Sequence, residues 1–142
     1  MKEIFKKRKT AMTSVIGKLR RRGRTVEMIP AKEKRLKMVD FKLDGKLTKF
    51  KFAYNEQVNI LFELKNDGRV GWFLKSYAEL YIMYIDATKT AYIIDVQRAR
   101  DYIENPMHLV EKTSKGTIGD GESYMIPIQT LLDHNIILEI MA

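Results

Sequence analysis

The chain has 142 residues, of which 45% are hydrophobic, and it contains no cysteine. This length and composition predict one folded domain over residues 1–142, and the lack of cysteine excludes disulfides and thiolate metal sites. No apolar run reaches the roughly 18 residues of a membrane span, and no secretory signal follows the charged start. We therefore expect a soluble, cytoplasmic protein with no membrane partner.

The positive charge is concentrated in the first third of the chain. Residues 1–51 hold 18 Lys and Arg against 5 Asp and Glu, whereas residues 52–142 hold 8 against 13. A one-sided charge of this kind indicates a polyanionic partner, because cations beside phosphates release bound counterions. A solvated, solubilising surface and an anionic membrane surface are the alternative interpretations.

The N-terminal segment predicts a basic helix over about residues 2–22. Apolar side chains recur there at three- and four-residue spacings, and Gly23 stands where a helix commonly ends. Basic residues fill its last turn and continue beyond it. The side chains expected to bind nucleic acid are Lys18, Arg20, Arg21, Arg22, Arg24 and Lys49.

A β-hairpin is the clearest local prediction. Residues 39–43 and 47–52 each alternate apolar and polar side chains, and Asp44-Gly45 between them suits a tight turn. A short strand over 25–29 and a charged link over 32–37 precede the hairpin. A further strand over 58–64 follows it.

The second half of the chain predicts strands mixed with helices. The apolar runs 80–85 and 92–96 indicate strands buried on both faces. Residues 97–104 favour a helix, 108–122 a glycine-containing loop, 123–126 a strand, 127–134 a short helix and 136–140 a final strand. The order predicts a mixed α/β (α+β) fold whose central mixed sheet is flanked by helices. An uncovered edge at 80–85 or 136–140 would allow a homodimer.

Acidic residues beside lysines are the candidate chemical site. Asp40 and Glu63 lie in neighbouring predicted strands and could hold a divalent metal between two carboxylates, while alternation places Lys65 on the same face as Glu63. A strand edge with solvated charges is the structural alternative. The two histidines have no metal-ligand spacing, and no nucleophile motif is present. Trp72 and Phe73 could stack on bases or pack in the core.

The order of motifs over residues 36–140 resembles small phage-encoded proteins of the PD-(D/E)XK nuclease superfamily, which includes Holliday-junction resolvases and restriction endonucleases. The resemblance is carried by the Asp40 strand with Asp44-Gly45, the strand ending in Lys51, and Val58-Asn-Ile-Leu-Phe-Glu63. It continues through Gly71-Trp72, Lys75-Ser-Tyr-Ala-Glu79, Tyr92-Ile-Ile-Asp95 with Arg98 and Tyr102, Gly119-Asp-Gly121 and Tyr124-Met-Ile-Pro127 with Leu131.

This resemblance implies a restriction-endonuclease-like fold and Mg²⁺-dependent cleavage of DNA. Asp40 and Glu63 would bind the metal, and Lys51 or Lys65 would assist attack. The sequence departs from the motif where Lys49 replaces the expected acidic ligand, and lysine at a ligand position repels Mg²⁺. The alternative is therefore an inactive nuclease-fold protein that binds nucleic acid as a phage accessory, or that inhibits a host protein–nucleic-acid complex.

Overall fold

A computed structural model describes residues 2–115, 117 and 119–142 of the chain, which form a mixed α+β fold. The helices are α1 (Lys2–Arg21), α2 (Ala31–Lys37), α3 (Trp72–Lys75), α4 (Val96–Glu104) and α5 (Ile128–Asp133). The strands are β1 (Val26–Met28), β2 (Phe41–Leu43), β3 (Lys46–Ala53), β4 (Asn59–Asn66), β5 (Arg69–Val70), β6 (Leu80–Ile85), β7 (Thr90–Asp95), β8 (Glu111–Thr113), β9 (Glu122–Pro127) and β10 (Ile137–Met141).

Two sheets organise these strands. The larger sheet has the order β1-β2-β3-β6-β7-β10, in which β3 and β6 are parallel and the other pairs are antiparallel. The smaller sheet has the order β5-β4-β9-β8 and is antiparallel throughout. The predicted central mixed sheet is therefore present, and the second sheet was not anticipated.

The six-stranded sheet is covered on both faces. One face packs against α1 through a core that includes Val15, Leu19, Phe50 and Ile82. The opposite face packs against the four-stranded sheet through a second core, which includes Phe62. Because β6 lies between these layers, all six of its residues are buried, as its continuous apolar run predicts.

The predicted hairpin and N-terminal helix are confirmed. Asp44 and Gly45 both have positive φ, at 50° and 81°, which is the backbone of a type I′ turn. Gly23 has a φ of 81° directly after α1. Glycine adopts this left-handed conformation without the strain that a Cβ would add.

Two local predictions are wrong. Residues 32–37 are not a charged link but part of α2, where Glu33 and Lys37 form an ion pair of 3.0 Å one helical turn apart. The loop over 108–122 contains β8, which pairs with β9; its Gly116 and Ile118 lie outside the described residues. The prediction that one of the strands at 80–85 and 136–140 lies at an edge is confirmed, since β10 is an edge strand of the larger sheet and β6 lies between β3 and β7.

The described part of the chain contains no helix that is long and apolar enough to cross a bilayer.

Candidate functional site

The candidate site begins on β3, whose side chains alternate between the two faces of the six-stranded sheet. Phe50 is buried in the core beneath α1, whereas Lys49 and Lys51 project from the opposite face and are half-buried. That face looks towards the four-stranded sheet. Two lysine side chains are thus held side by side between the two sheets.

Asp40 lies at the edge of β3 beside Phe50. The hairpin partner β2 pairs only with the first residues of β3, from Lys46 to Thr48. Beyond that point the Asp40 carboxylate accepts a hydrogen bond of 2.7 Å from the Phe50 N–H, and its other oxygen accepts one of 2.9 Å from Arg8. Arg8 also donates to the Phe50 carbonyl oxygen at 2.9 Å. Asp40 and Arg8 together therefore complete the backbone hydrogen bonding of Phe50.

Glu63 approaches the lysines from β4 in the smaller sheet. Its position depends on Gly71, because a Cβ on Gly71 would lie 2.6 Å from the Glu63 carbonyl oxygen and 2.8 Å from its side-chain Cγ. The Trp72 N–H points towards the Glu63 carboxylate, with an N–O distance of 3.4 Å. Close contact between the start of α3 and β4 thus fixes the carboxylate.

These side chains form one electrostatic group, which we call the cationic cluster: Arg8, Asp40, Lys49, Lys51 and Glu63. Burial lowers the pKa of the Lys49 ammonium below its usual 10.5, Arg8 lowers it further, and Asp40 and Glu63 act in the opposite direction. Burial also lowers the pKa of Lys51, and the neighbouring Lys49 contributes to that decrease. Three basic and two acidic side chains thus share a partly desolvated volume.

The structure brings together four of the residues singled out in the sequence, Asp40, Lys49, Lys51 and Glu63, but it separates Lys65 from them. A β-bulge in β4 lies between Glu63 and Lys65, so that the alternation of side chains is broken there. The Lys65 ammonium instead lies 3.4 Å from the Asp120 carboxylate. The prediction that Lys65 shares a face with Glu63 is wrong for this reason.

Arg8 is the member of the cluster that sequence reasoning missed. It belongs to a run of basic residues near the start of α1, and nothing in the sequence distinguishes it from its neighbours Lys7 and Lys9. Its role depends on a contact 32 residues away. The periodicity of apolar and polar residues along the sequence does not predict a contact of this length.

The cluster does not fit a divalent metal. Both oxygens of the Asp40 carboxylate already accept hydrogen bonds, and the lysines and Arg8 add positive charge around the two acids. Hard cations require several oxygen ligands and are repelled by ammonium groups. Across the described residues, no three His, Asp or Glu side chains converge in a group that could hold a metal ion. The Mg²⁺ site implied by the resemblance is therefore poorly matched by these residues.

The basic residues at the end of α1 have unequal surroundings. Lys18 donates to the Ala142 carbonyl oxygen at 3.0 Å, and Arg20 donates to the Val26 carbonyl oxygen at 2.9 Å. Arg21 and Arg22 are exposed. Arg24, which lies beyond the end of α1, is held by the carboxylates of Asp44 and Glu139.

The aromatic residues named as stacking candidates are packed inside the protein. Trp72 is 2% exposed and Phe73 is 3% exposed, and their rings meet edge to face. Packing, the structural alternative for these residues, is therefore their role in the fold.

Both histidines contact Tyr102, whose ring stacks on His108 at 3.9 Å.

The cationic cluster as a whole holds three basic and two acidic side chains, and this net positive charge favours anionic over cationic ligands.

We compared the chain with protein-family models, with curated proteins and with solved structures, and none of the three comparisons found a match.

Proposed function

We propose that this protein binds nucleic acid through the cationic cluster and the exposed arginines of α1, and that it does so without cutting the strand. The observation that carries the proposal is the Asp40 carboxylate, which is bonded to Arg8 and to the Phe50 N–H. An acidic group engaged in this way supports the backbone and neutralises one cation. Lys49 and Lys51 then provide the charge that a phosphate would meet.

The distribution of charge along α1 supports a long polyanion over a small anion. Arg8 in α1 and Arg22, whose N–H continues the helical hydrogen bonding to the Lys18 carbonyl oxygen, are 14 residues apart. This separation corresponds to about 21 Å of helix at 1.5 Å per residue, and at 3.6 residues per turn it places the two positions within about 40° of each other around the helix axis. That length matches about six nucleotides of duplex at 3.4 Å per step along one strand. The concentration of 18 Lys and Arg in the first 51 residues points the same way.

The second candidate function is metal-dependent cleavage of DNA on a nuclease-like fold. It is favoured by one observation, the grouping of Asp40, Glu63 and Lys51 that the PD-(D/E)XK resemblance requires. This candidate needs Arg8 to release Asp40 when a metal enters. Cleavage assays therefore discriminate between the two functions.

Anisotropy with a labelled duplex in EDTA tests the proposal. We expect salt-dependent binding that needs no metal, and a double variant Lys49→Gln/Lys51→Gln should lower the slope of log affinity against log salt by about 1.8, since each phosphate contact contributes about 0.9. The matched control is Lys75→Gln/Lys115→Gln, which removes two exposed lysines outside the cluster. Equal slopes in both double variants would exclude the cluster as the binding site.

The same DNA incubated with Mg²⁺ or Mn²⁺ tests the second candidate. We expect intact DNA with the wild-type protein. Cleavage by the wild type that disappears in Asp40→Ala would overturn the proposed non-cleaving function and establish the nuclease.

A further inference from the structure

A cavity of about 290 Å³ opens between the two sheets next to the cationic cluster. Its inner wall is apolar and includes Leu61, Trp72, Tyr81 and Met83. Trp72 and Tyr81 fix one another edge to face, with ring centroids 4.6 Å apart, and the Tyr81 hydroxyl donates to the Leu61 carbonyl oxygen at 3.2 Å. These two contacts hold the Trp72 and Tyr81 rings in position along the wall.

Polar groups line the rest of the cavity. The polar residues Gln57, Asn59, Glu63 and Ser123 also line it. The Gln57 amide nitrogen donates to the Asn55 carbonyl oxygen at 2.9 Å, which orients the amide and leaves its oxygen as an acceptor. An apolar wall with a few amide and hydroxyl groups is typical of sites for small ring systems.

Lys51 and Glu63 connect this cavity to the cationic cluster, because both residues line the cavity and belong to the cluster. A phosphate attached to a ligand in the cavity is therefore favoured beside the Lys51 ammonium and disfavoured beside the Glu63 carboxylate. The cavity volume lies just below the range of about 300–1,000 Å³ that is typical of sites for drug-sized ligands. One ring system therefore fits the cavity better than a dinucleotide. Amide side chains also complement the donor and acceptor edge of a nucleobase.

We infer that the cavity holds one unpaired nucleobase of a bound nucleic acid, with its phosphate at Lys51. This inference rests on the proposed function and adds the feature of the nucleic acid that is recognised. A base inside a continuous duplex cannot reach the cavity, since it is stacked and paired. The expected ligand is thus a strand with an unpaired or extruded base.

Trp72 gives a direct measurement, since it is the single tryptophan of the chain and it lines the cavity. Three labelled ligands are compared in EDTA: a fully paired duplex, the same duplex with one unpaired base, and that duplex with the unpaired base removed to leave an abasic sugar. We expect Trp72 emission to change only with the unpaired base. Affinity for that ligand should exceed affinity for the abasic one by about tenfold. This factor corresponds to the free energy that one base gains by contact with aromatic side chains.

Asn59→Leu tests the cavity itself, and Asn55→Leu is the matched control at an exposed turn position outside it. Asn59→Leu should lower the affinity for the unpaired base to that of the abasic ligand, whereas Asn55→Leu should retain the difference. Thermal unfolding of both variants establishes that they are folded. The comparison of the three ligands uses the wild-type protein, so that it tests the inference even if a variant does not fold.

The outcomes separate this inference from the proposed function. Salt-dependent binding with equal Trp72 emission for the unpaired-base and abasic ligands would overturn the base site and leave nucleic-acid binding intact. A change in Trp72 emission with a free mononucleotide, but not with any strand, would assign the cavity to a small ligand and overturn the inference. No binding of any strand would overturn both proposals.

Discussion

The Arg8 guanidinium and the Asp40 carboxylate meet at 2.9 Å beside the uncovered edge of β3, where they bind the carbonyl oxygen and the N–H of Phe50. The pair replaces the hydrogen bonds that β2 would have made if it extended further. It also couples α1 to the cationic cluster. A residue that the sequence suggests as a metal ligand is therefore also a structural support.

Removal of Arg8 should destabilise the protein. Arg8→Gln leaves the Asp40 carboxylate, which is only 15% exposed, without its cation, and we expect a loss of about 1–3 kcal/mol in the free energy of unfolding. Lys9→Gln removes the same charge from an exposed neighbour and should change it by less than about 0.5 kcal/mol. Urea unfolding measures both values. Equal effects would contradict the role assigned to the Arg8–Asp40 pair.

Replacement of Lys51 should have the opposite effect on stability. Lys51→Met removes an ammonium group whose pKa burial has lowered, and we expect the free energy of unfolding to rise by about 0.5–2 kcal/mol at neutral pH. Lys42→Met, on β2 outside the cluster, should give no comparable gain. The same Lys51→Met variant should lose affinity for nucleic acid. A gain in stability together with a loss of binding is typical of a functional position.

The gain from Lys51→Met should shrink as the pH rises. The pKa of Lys51 in the folded protein lies below the usual 10.5 of the unfolded chain, so that between the two values the unfolded chain binds more protons. The free energy of unfolding of the wild type therefore increases with pH in this window, and the variant lacks that increase. Urea unfolding at about pH 7 and about pH 9.5 compares the two proteins. A constant difference would show that Lys51 is not perturbed by burial.

The arginines near the end of α1 should separate into two classes. Arg21→Ala/Arg22→Ala should lower the salt slope of nucleic-acid binding by up to about 1.8, because both side chains are exposed. Arg24→Ala should change the slope little and instead lower stability modestly, because its partners Asp44 and Glu139 are partly exposed and solvent screens the ion pairs. Anisotropy at several salt concentrations measures the slopes. A large slope change in Arg24→Ala would mean that Arg24 leaves its partners to bind phosphate.

Two glycine-to-alanine changes should have opposite signs. In Gly71→Ala the new Cβ would meet the Glu63 backbone at 2.6 Å, so that β4 or α3 must shift, and we expect a loss of about 1–3 kcal/mol together with weaker binding at the cluster. In Gly17→Ala the Cβ would have its nearest contact at 3.4 Å, with the flexible Arg21 side chain, and alanine should stabilise α1 by up to about 1 kcal/mol. Thermal unfolding of both variants checks the signs. A neutral Gly71→Ala would show that the contact with Glu63 is easily relaxed.

The elements whose sequence signals are local were predicted correctly. The Asp44-Gly45 turn, the amphipathic α1 and the apolar run of β6 each contain their own signal within a few residues. The helix α2 has a weaker signal, since its seven residues are mostly charged and none is buried. Its local support consists of the Glu33–Lys37 ion pair and of backbone hydrogen bonds at its C-terminal end, where the Met38 N–H donates to the Lys34 carbonyl oxygen. A charged segment of this kind is easily assigned to a link.

The candidate site was only partly predictable. Lys49 and Lys51 follow from alternation along β3. The prediction that Asp40 and Glu63 lie on adjacent strands is wrong, because Asp40 precedes β2 and Glu63 lies on β4 of the smaller sheet. Lys65 was misplaced because a single extra residue in a strand reverses the side-chain alternation, and the bulge after Glu63 has no clear sequence signal. The same bulge directs Lys65 towards Asp120.

The sequence by itself determined the mixed α+β class, the tight hairpin turn and the concentration of positive charge in the first third of the chain. These properties depend on neighbouring residues, whose steric and hydrophobic preferences act locally. The tertiary structure alone decided that Arg8 meets Asp40, that Arg24 joins Asp44 to Glu139, and that a cavity opens beside Lys51. Those contacts join residues far apart in the chain, and they form only when packing of the two sheets and α1 brings the distant segments together.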